Sequence, residues 1–228
     1  MKQFNVLLLV LLPLLASAQI GGSDGLSNLE SISSGSSMFR SFDNRFKGIE
    51  GYPTIFENYV PGKIILTRGK AVVHPLVNYD IYSNELLVKR NDQEVIVTRN
   101  MVKSFVLLQE ADSLFFVKVR LPQGEVFCEE LVAGKIKLYK FNVKTVRQAS
   151  NTGAYSAGKT YSQFEEAVKY YWQAEGKDIA EIKNKKSLIG DLKTIYGIDP
   201  ATFIKDNDIN LKDAADVRKL FEYIDSKI

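Results

Sequence analysis

Asp80 and Glu85 are the side chains best placed by spacing to do chemistry. They flank a Tyr82-Ser83-Asn84 turn, and a hairpin through it brings two carboxylates together, as acid/base hydrolysis requires. Acidic residues at strand ends are also ordinary turn formers and solvated charges, so a structural role stands beside the catalytic one. Glu129 and Glu130 are neighbours in a strand-like run. They point to opposite faces and cannot act on one substrate. Four tyrosines, Tyr52, Tyr59, Tyr79 and Tyr82, join Asp80 and Glu85 as a candidate binding surface. Rings with polar tips suit glycan, peptide or protein recognition, and they equally suit half-buried sheet positions covered by the tail.

Other chemistries lack their residues. The one histidine, His74, precedes Pro75 and reads as structural or exposed. Cys128 is alone, so no intramolecular disulfide forms, and it reads as a small buried hydrophobe sharing a strand face with Val126 and Val132. Without paired histidines, clustered cysteines or a Gly-rich phosphate loop, zinc, iron and nucleotide sites of the usual kinds are excluded, and no cofactor is expected. Asp206-Asn207-Asp208 lacks the spacing and glycine of a calcium loop and reads as a helix-ending turn.

Residues 1–18 read as a cleavable export leader. Lys2 is followed by an apolar run over residues 6–15, and Ala16-Ser17-Ala18 has the small-x-small pattern of a cleavage site. The run is short for an ordinary membrane span and carries no stop-transfer pattern, so an integral membrane protein is not expected. The formal charge of +3 falls to +2 without Lys2, too little for a nucleic-acid partner. Lys183, Lys185 and Lys186 are the densest basic cluster and read as a solvated turn. Lys118, Arg120, Lys135 and Lys137 break any lipid-facing band of an outer-membrane barrel.

Residues 19–47 begin with a Gly/Ser-rich stretch and read as a flexible arm. Within it Phe39, Phe42 and Phe46 recur at spacings of three and four, the pattern of a short amphipathic turn docked on the body. Residues 48–147 alternate short apolar runs with turn signals. Runs at 63–67, 76–82, 85–89, 94–98, 103–108, 114–121, 125–132 and 135–143 are spaced as an antiparallel meander. Phe115, Val117, Val119 and Leu121 mark one strand face, with Lys118 and Arg120 on the other. Ala133-Gly134 predicts a tight hairpin, and the apolar phase shift at Leu138-Tyr139 predicts a β-bulge.

A polar linker is expected over residues 148–160. The next segment carries two readings. Ser162 and Glu165 fit a helix-capping box, with Phe164, Ala167, Val168, Tyr171 and Trp172 on a helical stripe. Tyr170-Tyr171-Trp172 and the Glu175-Gly176-Lys177 turn favour a hairpin over 169–183, the preferred reading. Helices follow. Leu188, Leu192 and Ile195 form a stripe ended by Gly197, Phe203 and Ile204 face inwards, and Asp213 caps a helix with Val217, Leu220, Phe221 and Ile224 inside.

These segments resemble a family of exported Bacteroidota-type proteins with a β-rich body and a short C-terminal helical tail. The resemblance rests on the Tyr59-to-Ile64 turn and strand, the tyrosine-rich pair from Val77 to Leu86, and the hairpin from Val126 to Leu138. Tyr170-Tyr171, Gly176-Lys177, Lys185-Lys186-Ser187-Leu188 and the final helix from Val217 to Ser226 extend it over roughly residues 50–226. It implies location and architecture, and no activity.

The expected fold is α+β, mainly β: an antiparallel meander, curved or half-barrel-like, with a C-terminal hairpin and short helices over residues 161–228. The expected role is a non-enzymatic binding or structural module of the cell envelope, in the periplasm or at the outer-membrane periphery, with a protein partner. A carrier of a lipid or other apolar ligand needs a concave apolar face left open by the helices. A hydrolase needs Asp80 and Glu85 to converge in a cleft.

Overall fold

The computed structural model describes residues 39–41, 46–90, 93–109, 112–148 and 161–228. The leader, most of the arm including Phe42, and residues 149–160 of the linker lie outside them. Eleven strands form one antiparallel sheet: β1 (Phe39–Ser41), β2 (Val60–Leu66), β3 (Ala71–Asp80), β4 (Glu85–Arg90), β5 (Gln93–Val97), β6 (Val102–Leu108), β7 (Ser113–Leu121), β8 (Gly124–Ala133), β9 (Ile136–Arg147), β10 (Gln163–Ala174) and β11 (Ala180–Glu181). Helices α1 (Lys185–Tyr196), α2 (Ala201–Asp206) and α3 (Ala214–Asp225) follow. The mainly-β reading therefore holds, with short helices at the C-terminus and a sheet that does not close into a barrel.

The strand order is β1-β5-β4-β3-β2-β6-β7-β8-β9-β10-β11. The meander breaks twice: β1 pairs with β5 rather than β2, and β6 pairs with β2 rather than β5. Three strands separate β5 from β6, a gap of ~19 Å in a flat sheet at the usual strand spacing. Residues 98–101 join them and include a 3₁₀ turn, Arg99–Met101. Even fully extended, that link would span only ~17 Å. The first strands must therefore curl until Val97 and Val102 share a core.

That core is aromatic at its centre. Tyr79 of β3 lies 5.5 Å from Phe105 of β6, 5.1 Å from Phe116 of β7 and 6.2 Å from Phe127 of β8, ring centre to ring centre. Phe105 and Phe116 stack at 4.8 Å. Ile64, Leu66, Val72, Val77, Leu86, Val88 and Leu107 fill the space around them. Gly62 permits the close crossing of β2, since a Cβ there would strike Val77 and the Val106 carbonyl. His74, exposed, adopts φ 61° where β3 bulges opposite β2.

The second core lies under the helices. Val132, Ile136, Leu138, Tyr170 and Trp172 meet Leu188, Leu192, Ile204, Val217, Leu220, Phe221 and Ile224. Asn184 caps α1 by accepting from the Ser187 N–H, and Asp213 caps α3 by accepting from the Ala215 and Asp216 N–H groups. Gly197 ends α1 in the left-handed conformation at φ 70°. Asp206 ends α2, and Asp208 at φ 48° completes the expected helix-ending turn. The Asp225 carboxylate of α3 accepts from the Ile136 N–H, tying the last helix to the β8–β9 turn.

Of the two readings of the segment after the linker, the preferred hairpin holds: residues 163–174 form strand, all twelve pair with β9, and β11 is the short second arm. Other expectations are corrected. Phe39 docks on the first core as part of a strand rather than a helical turn. The bulge lies opposite Leu138-Tyr139, but its extra residue is Leu131 of β8. It shifts Val132 into the helix-covered core, away from Val126 and Cys128. On β7 the expected face packs only towards its end, where Leu121, Val117 and Val119 join Val126 and Cys128, while Phe115 is exposed and Phe116 on the opposite face enters the first core. Ile195 is also exposed, and the last turn of α1 packs Tyr196 instead.

Phe105→Ala removes the stacked ring at the centre of the first core. It should cost about 3–5 kcal/mol of stability, read from the urea midpoint at unchanged slope.

Candidate functional site

The β3–β4 turn is the place where most sequence-nominated residues converge. Asp80 and Glu85 are direct cross-strand partners, as the hairpin reading required. Asp80 is fully buried, its backbone bridged to Thr54 of the segment that crosses over it. One oxygen accepts from the Ser83 N–H, and Oδ2 has no hydrogen-bond partner. Burial raises the Asp80 pKa above its ordinary value, and the nearby Glu85 carboxylate adds to the rise against the Ser83 N–H. Glu85 is held by Arg40 of β1. The two carboxylates are neighbours, each bound locally through one oxygen, and Asp80 Oδ2 and Glu85 Oε2 are buried without a hydrogen-bond partner.

Asn84 does the joining. It takes the left-handed conformation at φ 55°, which asparagine tolerates. Its Oδ1 accepts from the Tyr79 hydroxyl at 3.0 Å and from the Phe127 N–H at 3.1 Å. The Tyr79 hydroxyl also lies 3.3 Å from the Phe127 carbonyl. Phe127 has those groups to give because β9 pairs with β8 only from Glu129 onwards. The turn therefore fills a gap in the ladder with side chains in place of a strand. Burial drives the Tyr79 phenol upward in pKa, so it stays a neutral donor.

Beyond the split, β9 carries Lys140, Asn142 and Lys144 on one face. Lys140 pairs with buried Glu129 at 3.1 Å. Lys144 donates to the Tyr52 and Thr54 carbonyls at 3.1 and 2.7 Å and lies 4.9 Å from the Tyr52 ring. Burial lowers its pKa, while Glu166 and Asp80 counter that. Asn142 is 3% exposed, and neither side-chain polar atom has a hydrogen-bond partner.

The tyrosines divide by environment. Tyr79 is core. Tyr59 is half-buried, and burial followed by the Glu94 carboxylate raises its pKa. Tyr52 and Tyr82 are exposed. Tyr82 packs edge-on against Phe46 at 5.1 Å and Phe164 at 5.9 Å, and those two lie 5.3 Å apart. Tyr52 and Tyr82 are thus exposed rings, and Tyr82 rests on the half-buried Phe46 and Phe164. Asn84, Asn142, Lys144 and Phe164 were not nominated by sequence. For Asn142 and Lys144 the one signal is the period-two polar series at 140, 142 and 144 of β9.

Cys128 is buried, which pushes its thiol up to about 12. Among the described residues no group of three or more His, Cys, Asp or Glu side chains is arranged to hold a metal ion. Nor is any helix among them long and apolar enough to cross a membrane. No protein-family model, curated protein or solved structure matches the chain.

Asn84→Ala removes the acceptor of the Phe127 N–H and leaves the Tyr79 hydroxyl only the Phe127 carbonyl, and should cost about 1–3 kcal/mol in chemical unfolding. Asp80 binds a proton more tightly folded than unfolded, so its contribution to stability falls as pH rises above about 4. Asp80→Asn keeps an acceptor without the charge. Urea unfolding across a pH series should show the variant gaining on the parent chain from acid to neutral pH.

Proposed function

We propose that this chain is an exported, non-enzymatic binding or structural module of the cell envelope, acting in the periplasm or at the outer-membrane periphery. The observation that carries the reading is a concave face filled by the protein itself. Tyr79, Phe105, Phe116 and Phe127 occupy one end, and the helices cover the other. The Glu129–Lys140 pair lies between them, so polar groups divide what a carrier would keep continuous and apolar. Recognition then falls to the outside, where Tyr52 and Tyr82 stand on a scaffold fixed from beneath by Lys144 and Asn84. The leader over residues 1–18 and the resemblance to exported β-rich proteins support the location.

The test is native mass spectrometry of the protein recovered from the periplasm of its own host. The expected species is a chain beginning at Gln19, in stoichiometric complex with another protein. A retained lipid-sized mass would replace this reading with the carrier. A chain with its leader intact and confined to the cytosol would overturn export.

A further inference from the structure

The two edges of β10 are treated differently. One side pairs with β9 along all twelve residues. The other is used only at its ends. At the start, Glu50 lies parallel to it, donating to the Ser162 carbonyl and accepting from the Phe164 N–H. At the far end, β11 pairs with Tyr171 and Trp172, and the Ile182 N–H donates to the Tyr170 carbonyl. Even-numbered residues therefore present their N–H and C=O groups outward. Between the anchors, those of Glu166 and Val168 have no backbone partner among the described residues. Residues 165–169 are all exposed. This chain already adds its own segments to that edge twice, once in each direction, so its geometry accepts a strand.

The charge beside the edge selects the occupant. A cleft of about 650 Å³ runs from Val168, Lys169 and Tyr170 to Lys183, Lys185 and Lys212. Lys169 is paired with Glu181 at 3.7 Å. Lys183, Lys185 and Lys212 are exposed and have no ion-pair partner among the described residues. Lys185 and Lys186 also open α1, whose first turn holds no acidic residue. Helix N-termini favour negative charge, so basic residues there cost stability unless an anion comes to them. At the other end of the edge, Glu165 and Glu166 already face Arg147 and Lys144.

We propose that the free edge of β10 receives an extended, acidic polypeptide segment of a partner protein by strand addition, its carboxylates facing the lysines of the β10–α1 cleft. This names the partner class of the binding module above and rests on that reading. Backbone bonds to Glu166 and Val168 supply register, and Lys183, Lys185 and Lys212 supply the preference for acid.

The probe is a fluorescein-labelled, capped octapeptide of alternating Val and Glu, read by anisotropy with the mature protein. Its counterpart alternates Val and Lys. The acidic peptide should bind and slow hydrogen exchange at the Glu166 and Val168 amides. Val168→Pro removes an outward N–H while sparing the ladder to β9, and should weaken binding about tenfold or more. Lys183→Glu with Lys185→Glu should do the same without touching the backbone, which keeps the test valid if the proline variant misfolds. No binding of the acidic peptide, equal binding of the basic one, or unchanged binding by either folded variant would overturn the proposal. A dimer that Val168→Pro dissociates would assign the edge to a second copy and overturn it too. A protein complex from the periplasm that survives Val168→Pro would retain the module and reject this edge.

Discussion

The rest of the structure depends on the short link between β5 and β6. A chain that must cross three intervening strands in four residues cannot leave the sheet flat. Curling brings β3 over β8, and that approach creates both a packed aromatic centre and an open place in the ladder beside Phe127. Asn84 and the Tyr79 hydroxyl fill that place. The Phe127 N–H and the Tyr79 hydroxyl are both bonded there, so the curl closes with hydrogen bonds where a strand edge would otherwise be left unpaired.

This constraint sets what the interior can do. The concave face is long enough to serve two cores, and both are made of the chain's own side chains. Glu129 and Lys140 mark the division, held as a pair because a lone buried charge there would be costly. The side chains that looked most chemical, Asp80 and Glu85, are drawn into the closure. Their convergence follows from the hairpin register, and their surroundings are Thr54, Ser83 and Arg40. The closure leaves outside it the rings at Tyr52 and Tyr82 and the free edge of β10.

Much of this was legible in the sequence. Turn residues and alternation placed the strands of the body, Ala133-Gly134 placed the long hairpin, and the apolar stripe and caps placed α1 and α3. Alternation identifies faces but not neighbours, so the pairing of β2 with β6 could not be read. On β7 it found the packed face of Val117, Val119 and Leu121 but misplaced Phe115, because Phe115 and Phe116 are equally apolar and only the tertiary partner decides which is buried. β10 satisfies helical and strand patterns together, and the twelve-residue ladder to β9 decided it. Of the site, the turn from Asp80 to Glu85 was visible. The role of Asn84 was not, because it acts on Phe127, 43 positions away.

The most direct test of this account is amide hydrogen exchange at Phe127, compared with Phe105 in the middle of the same core. If the Asn84 turn seals the curl, the Phe127 amide exchanges only when the whole domain unfolds, with the same free energy as Phe105. Exchange at Phe127 through a local opening that leaves Phe105 protected would contradict it. The two halves would then part in the native state, and the interior would be open to a ligand.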